Sequence, residues 1–229
     1  MSNIFFSFKL LFFTYLVVSF GEWFLHKYTM HGDPEKLKKI FIIGSVLSHA
    51  SKSHLDHHKA INMNMKFVNK DYKNKNEREY YHRGLFFPWS VTFIIFIYYY
   101  SIIICCFKFK HLKFLLFFSI LISIIFSFSW NNLHPDMHDY NLKIELKDGI
   151  PNSPKLMSHG RIYKWLWSNH AIHHLQKGEK GNFNIIFPGA DYIFNTYQGK
   201  CFNNKEYCKK NYDKRICKKK KKIKQMFLK

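Results

Sequence analysis

At 229 residues the chain has the length of a single domain. Five cysteines do not suggest a disulfide framework: Cys105 and Cys106 fall in an apolar run, and Cys201, Cys208 and Cys217 lack the spacing of a zinc module, so reduced thiols are expected. The net charge of +21 and the mean hydropathy of −0.25 both average unlike parts, because long uncharged runs alternate with strongly basic segments.

Residues 4–20 are apolar apart from Lys9, which can snorkel to an interface. No basic stretch precedes them and no small-x-small site follows. A retained helix just long enough to span a bilayer is therefore expected, rather than a cleaved signal peptide. It continues through Glu22, Trp23 and His26 until Gly32–Asp33–Pro34 stops it. Residues 35–61 read as one long helix with Leu37, Ile40, Phe41, Gly44 and Leu47 along one face. Its uncharged part, Ile40 to Ala50, is too short to cross, so the front half is expected to rest on lipid at the interface or in a shallow re-entrant position. Residues 62–82 read as a polar, basic surface connector with little sign of a core.

Leu85 to Phe107 is a run of 23 residues without a charge, with Pro88 in its first turn, and Phe114 to Leu133 is a second run of 20. Only Lys108 to Lys113 separates them, so an antiparallel transmembrane hairpin is expected. Asn131–Asn132–Leu133–His134 return the chain to the side it left. Beyond, Pro135, Gly149, Pro151 and Pro154 mark loop, and residues 158–176 read as a helix. Gly181–Asn182–Phe183–Asn184 and Phe187–Pro188–Gly189–Ala190–Asp191 read as turns around a short extended piece. Residues 25–84 hold 12 Lys/Arg, whereas the opposite side holds Lys108, Lys110 and Lys113. That asymmetry places the histidine-bearing side in the cytosol, with three crossings and the N-terminus on the far side. Residues 200–229 hold 13 Lys/Arg against 2 Asp/Glu. An anionic membrane surface is the expected partner of this tail, a solvated tail is the plainer reading, and no nucleic acid is expected.

Ten of the 14 histidines form four spaced groups. They are His26/His31 (His-x4-His), His54/His57/His58 (His-x-x-His-His), His134/His138 (His-x3-His) and His170/His173/His174 (His-x-x-His-His). Imidazole ligates iron, zinc, copper and nickel. His-x-x-His-His sets three rings on one side of a helix, and His-x3-His sets two. His-x4-His diverges on a straight helix and works only if the helix ends near His31. All four groups lie at or just beyond one end of the predicted membrane-associated helices, so they are expected to meet in one plane. Ten imidazoles exceed the needs of one ion, and two metals are the natural count. Asp56, Asp136 and Asp139, inside or beside the boxes, are candidates to orient imidazole N–H groups. His49, His82, His111 and His159 lie outside the pattern and read as ordinary side chains. Soluble di-iron bundles use a set of Glu-x-x-His pairs with further glutamates, and this chain lacks that set.

The order His-x4-His, His-x-x-His-His, transmembrane hairpin, His-x3-His, His-x-x-His-His resembles the fatty acid hydroxylase / sterol desaturase superfamily of integral-membrane histidine-box enzymes. The resemblance covers about residues 20–198 and includes Gly181–Asn184 and Phe187–Asp191 after the final box. It implies an all-α integral membrane fold, with transmembrane helices and a cytosolic helical cap holding a histidine-rich dimetal site. Residues 1–198 would form that membrane-embedded domain, and 199–229 a basic C-terminal tail. It also implies two Fe ions (zinc being able to replace them in purified protein), O2 as co-substrate, and cytochrome b5 or a similar electron donor in trans. A membrane lipid would be the substrate, and the endoplasmic reticulum is the default address. The ligands implied are His26, His31, His54, His57, His58, His134, His138, His170, His173 and His174. Some similar proteins carry a fused cytochrome b5 domain, and no stretch of this sequence reads as one; many have a helical hairpin before the first box, where a single span is expected here; and Asn195 stands where they often have glycine.

The leading functional expectation is oxygen-dependent hydroxylation of a C–H bond of a fatty acyl or related lipid. Desaturation or sterol oxidation uses the same metals on another lipid. A metal-binding membrane scaffold is the non-enzymatic alternative. A transporter is disfavoured because the predicted spans contain no His, Asp or Glu.

Overall fold

The computed structural model describes residues 2–61, 65, 85–87, 89–107, 112–138, 146–147, 150–151, 160–175 and 181–198. Most of the 62–82 connector, the 108–111 link, His82, His111, Asp139, His159 and the basic tail therefore lie outside the described residues.

The described chain is mostly helical. Helix α1 (Ser2–Phe24) passes without a break into a π-helical turn, Leu25–Met30. Two helices follow, α2 (Pro34–Lys38) and α3 (Gly44–Ala60). The hairpin consists of α4 (Trp89–Phe107) and α5 (Leu112–Met137). Helix α6 (Arg161–Leu175) carries the last histidine box, and α7 (Ala190–Ile193) is a single turn. Leu146–Lys147 and Ile150–Pro151 pair antiparallel as two-residue strands, a small exception to the all-α expectation.

Helices α4 and α5 are antiparallel. The Thr92 hydroxyl donates to that of Ser127 at 2.9 Å. The Asn131 amide brackets the Phe87 backbone, accepting its N–H at 2.7 Å and donating to its carbonyl at 3.2 Å. Phe87 also stacks on Trp130, with ring centres 4.6 Å apart. Helix α1 leans on this pair closely, since a Cβ on Gly21 would lie 2.9 Å from the rings of Tyr98 and Tyr99. The buried core runs through Val17, Ile95, Tyr99, Phe126, Trp130 and Leu166. Within α5, Leu116–Met137 is the one stretch among the described residues long and apolar enough to cross a membrane. In α4 the apolar stretch Trp89–Ile102 is shorter.

Three expectations need correction. Residues 35–61 are not one helix: α2 ends at Lys38, and the chain turns before α3 begins at Gly44. The turn puts Ile42 in the left-handed region (φ 66°) and leaves Ile40 and Phe41 exposed while Gly44 and Leu47 are buried, so the residues read along one helix face are divided between surface and interior. Pro135 does not mark loop but lies inside α5, which runs on to Met137. Proline there removes only the N–H that would bond to the carbonyl of residue 131, and the helix ends two residues later. Within the polar connector, Met65 is buried in the core rather than lying on the surface.

Candidate metal centre

Each histidine group is delivered by a different local device. His26 and His31 are five residues apart, a spacing that diverges on an α-helix. Here the first helix changes to π geometry over Leu25–Met30, and the His31 N–H donates to the His26 carbonyl at 3.0 Å. The wider turn returns residue i+5 to the side of residue i. His54, His57 and His58 lie on α3, and His170, His173 and His174 on α6. His134 occupies the last turn of α5 and His138 follows its end.

All ten rings come together, in two groups of five. His26, His31, His54, His58 and His173 form one, which we call the loop-side group. His57, His134, His138, His170 and His174 form the other, the hairpin-side group. Within each group the potential ligand atoms all lie within 4.8 Å of one another. Each His-x-x-His-His box is divided between the groups. The middle ring of the first box sits with the outer rings of the second, and the reverse holds as well. Helices α3 and α6 therefore each serve both groups, and the groups adjoin where His58 stacks on His174 at 3.9 Å.

The ring nitrogens point inward. Nε2 of His54 lies 3.1 Å from that of His26, 3.2 Å from that of His31 and 3.0 Å from that of His58, and His31 and His173 approach to 2.9 Å. In the other group, Nε2 of His138 lies 3.2 Å from that of His57 and 2.7 Å from that of His170, which lies 3.2 Å from that of His174. On four rings the other nitrogen donates to a backbone carbonyl. Nδ1 of His26 meets Phe183 O at 2.6 Å and Nδ1 of His173 meets Gly181 O at 2.8 Å. Nδ1 of His134 and of His138 meet Leu85 O and Met65 O, each at 3.2 Å. A carbonyl can only accept, so these rings carry their proton on Nδ1 and turn the Nε2 lone pair inward. Burial first, and then the neighbouring imidazoles, hold His54, His57, His170 and His174 well below the usual imidazole range. These four rings are thus favoured in the neutral form, which is the ligating one.

Converging nitrogens, on four rings with the N–H tied to a carbonyl outside, fit cations. The buried Nε2 of His134 has no hydrogen-bond partner, although its Nδ1 does, so that ring too is oriented without being satisfied. The donor set is all imidazole, which suits borderline transition metals and not magnesium or calcium. Each group could hold a metal ion.

The loop-side group rests on the segment 181–198, which two buried carboxylates fasten in place. Glu22, at the end of α1, accepts the backbone N–H groups of Ile185, Ile186 and Phe187 at 3.1, 2.8 and 2.8 Å, and the Asn184 amide at 3.2 Å. Asp191 accepts the N–H groups of Phe183 and Asn184 at 3.0 and 2.7 Å, and the Thr196 hydroxyl at 2.6 Å. Burial pushes the Asp191 carboxyl above its usual range, against the pull of these donors. Trp23 adds an indole N–H to the Thr196 hydroxyl at 2.9 Å, and the Asn169 amide on α6 donates to the Asn184 carbonyl at 2.5 Å. The carbonyls of Gly181 and Phe183 are thereby aimed at His173 and His26. The expected short extended piece is instead a series of bends. Asn195 has φ 55°, a conformation asparagine tolerates better than most residues.

Sequence reasoning did not single out Glu22, Asn184 or Asp191. Glu22 had a readable signal, because a lone carboxylate at the end of an uncharged run is costly unless it is bonded. The carbonyls of Met65, Leu85, Gly181 and Phe183 had none, since backbone groups carry no sequence identity. Of the carboxylates proposed to orient the rings, Asp56 forms an ion pair with Lys59 at 3.1 Å and Asp136 is buried. His49 is exposed and stands apart from both groups.

The arrangement, a histidine-rich cluster in a mostly helical chain, is compatible with a histidine-box metalloenzyme. Comparison with family models, with curated proteins and with solved structures finds no match for this chain.

Proposed function

We propose that this chain is an integral-membrane di-iron oxidase that hydroxylates a C–H bond of a fatty acyl or related lipid. The observation that carries the reading is the sorting of ten imidazoles, from four distant parts of the chain, into two adjoining groups of five. Supporting it are the apolar stretch Leu116–Met137, which ends inside the histidine cluster, and the resemblance of the box order to the fatty acid hydroxylase / sterol desaturase superfamily.

In this reading α1 and the hairpin α4–α5 cross the bilayer and leave the cluster at its cytosolic face, in the endoplasmic reticulum by default. Two irons in the histidine groups would supply the capacity to reduce O2 and abstract hydrogen from an unactivated C–H bond. The overall change inserts one oxygen atom into that bond and releases the other as water, using two protons and two electrons from a carrier such as cytochrome b5. The chain's own part is to bind and orient. Carbonyls fix the tautomers of His26, His134, His138 and His173, burial favours the neutral form of His54, His57, His170 and His174, and Glu22 and Asp191 hold the 181–198 segment against the ligands. Trp130, stacked on Phe87 and 4.5 Å from the His134 ring, gives the cluster an apolar floor toward the hairpin.

Expression in a host lacking comparable activity, followed by lipid mass spectrometry, tests the reading. A lipid heavier by one oxygen atom, dependent on iron and O2, is the expected product. Loss of two hydrogens instead would assign desaturation, and an unchanged lipid profile with metal bound would assign a scaffold.

A further inference from the structure

The turn between α2 and α3 carries three consecutive apolar residues on the surface. Phe41 is 88 % exposed and Ile42 82 %, with Ile40 exposed beside them. The backbone makes this an unusual place for them. Ile42 adopts φ 66°, where a β-branched residue is strained. At two turns of the 181–198 segment the same chain meets positive φ with asparagine, at Asn182 and Asn195. Exposed Lys36, Lys38 and Lys39 immediately precede the apolar tip.

The depth of the tip follows from its neighbours. The second half of α3 brings His54, His57 and His58 to the cluster, beside the end of α5. Its first turns reach farther along α4: Val46 and Leu47 line an apolar cleft that runs from Thr29, Met30 and Phe87 beside the cluster to Val91, Ile94 and Ile95 of α4. Helix α4 leads away from the cluster, and Ile95 lies about 9 Å along it from Trp89. The beginning of α3 is therefore the end dipped toward the bilayer. Helix α2 returns alongside it. The Ser51 hydroxyl bonds to Gly32 O at 2.6 Å near the cluster, while a Cβ on Gly44 would meet Lys38 O at 2.5 Å near the tip. The seven residues from Ser51 back to Gly44 span about 10 Å.

We propose that the α2–α3 turn is a membrane wedge. Ile40, Phe41 and Ile42 insert among the acyl chains of the leaflet that borders the histidine cluster, and Lys36, Lys38 and Lys39 reach back to its phosphates. A depth of about 5–10 Å is what interfacial apolar residues occupy, and lysine stems cover that distance by snorkelling. The bilayer is the occupant because three exposed apolar residues stand together at the tip with three exposed lysines just before them, the pairing of an acyl interior with anionic headgroups, and because Val46 and Leu47 behind the tip lie against α4. The proposal rests on the membrane placement of the preceding reading and not on its oxidation chemistry.

The test uses the full chain with its five cysteines replaced by serine and a single new cysteine carrying an environment-sensitive fluorophore. The protein is placed in nanodiscs of phosphatidylcholine and phosphatidylserine, with or without brominated acyl chains. Labels are compared at Phe41→Cys, at Lys59→Cys on the exposed side of α3, and at Phe117→Cys on the exposed face of α5. Bromine is expected to quench position 41 at least twofold more than position 59, with position 117 quenched as well. Quenching at 117 but not at 41 overturns the wedge and leaves the membrane placement standing, and it is also the result if a second copy covers the tip. Quenching at neither site overturns both. A Phe41→Asp variant should lose affinity for its nanodisc position without losing helix content, read as exposure of a label at Ile40→Cys. An unchanged label there also overturns the wedge.

Discussion

The two histidine groups have the same ligand count but unlike supports. The hairpin-side group draws His134 and His138 from α5 and its end, and orients them by the carbonyls of Leu85 and Met65. The loop-side group draws His26 and His31 from a π-helical turn, and orients His26 and His173 by the carbonyls of Phe183 and Gly181. His31 and His58 in the loop-side group are partly exposed, against His174 alone in the other. One site is thus held by a long helix and its flanking residues, while the other depends on an irregular segment held by Glu22 and Asp191. The comparison teaches that an irregular segment can position ligands as well as a helix when buried carboxylates satisfy its backbone.

Removing one ligand from each group gives the largest expected effect. His173→Ala and His57→Ala should each lower bound metal from two per chain toward one, and the double variant toward none, as read by elemental analysis of purified protein. Loss of both metals in either single variant would mean that the groups are not separable. Full occupancy in both would remove them as metal sites.

Next in size is the carboxylate that fastens the irregular segment. Glu22→Gln keeps the volume but turns an amide toward backbone donors, at a cost of about 1–3 kcal/mol by thermal unfolding. Because the carbonyls facing His26 and His173 would shift, affinity at the loop-side group should fall by about 10- to 100-fold, while the hairpin-side group keeps its metal. Equal weakening of both would erase the distinction between their supports.

Acid should act on both groups alike. The folded chain holds His26 and His54 of one group, and His57, His138, His170 and His174 of the other, well below the usual imidazole range, with burial the leading cause. The unfolded chain therefore binds more protons below about pH 6.5. Stability from this source is complete above that value and is lost progressively as pH falls below it toward the depressed folded values. Metal retention followed from pH 7.5 to 5 should drop in one wave, and two separated waves would show that the groups differ in more than their supports.

The smallest effect is local to the irregular segment. Asn195→Gly should change stability by less than about 0.5 kcal/mol, because either residue accepts positive φ. Asn195→Val should cost about 1–2 kcal/mol. Neither should move metal at the hairpin-side group.

Much of the site is legible in the sequence. The spacings in His54–His57–His58, His134–His138 and His170–His173–His174 match a helix, and they specified three of the four groups as faces. The hairpin was legible from two uncharged runs and a short basic link. What stayed hidden depended on backbone geometry. His26 and His31 needed a π turn, and Ile42 needed a left-handed bend to divide residues 35–61 into two helices.

The sequence by itself determined which side chains are available as ligands and which helix faces carry them, because helical periodicity is local. Only the tertiary structure decided how each His-x-x-His-His box is shared between two groups and which nitrogen of each ring turns inward. The carbonyls of Met65, Leu85, Gly181 and Phe183 make part of that choice. They do so through contacts up to 157 residues apart along the chain, made by an atom every residue possesses.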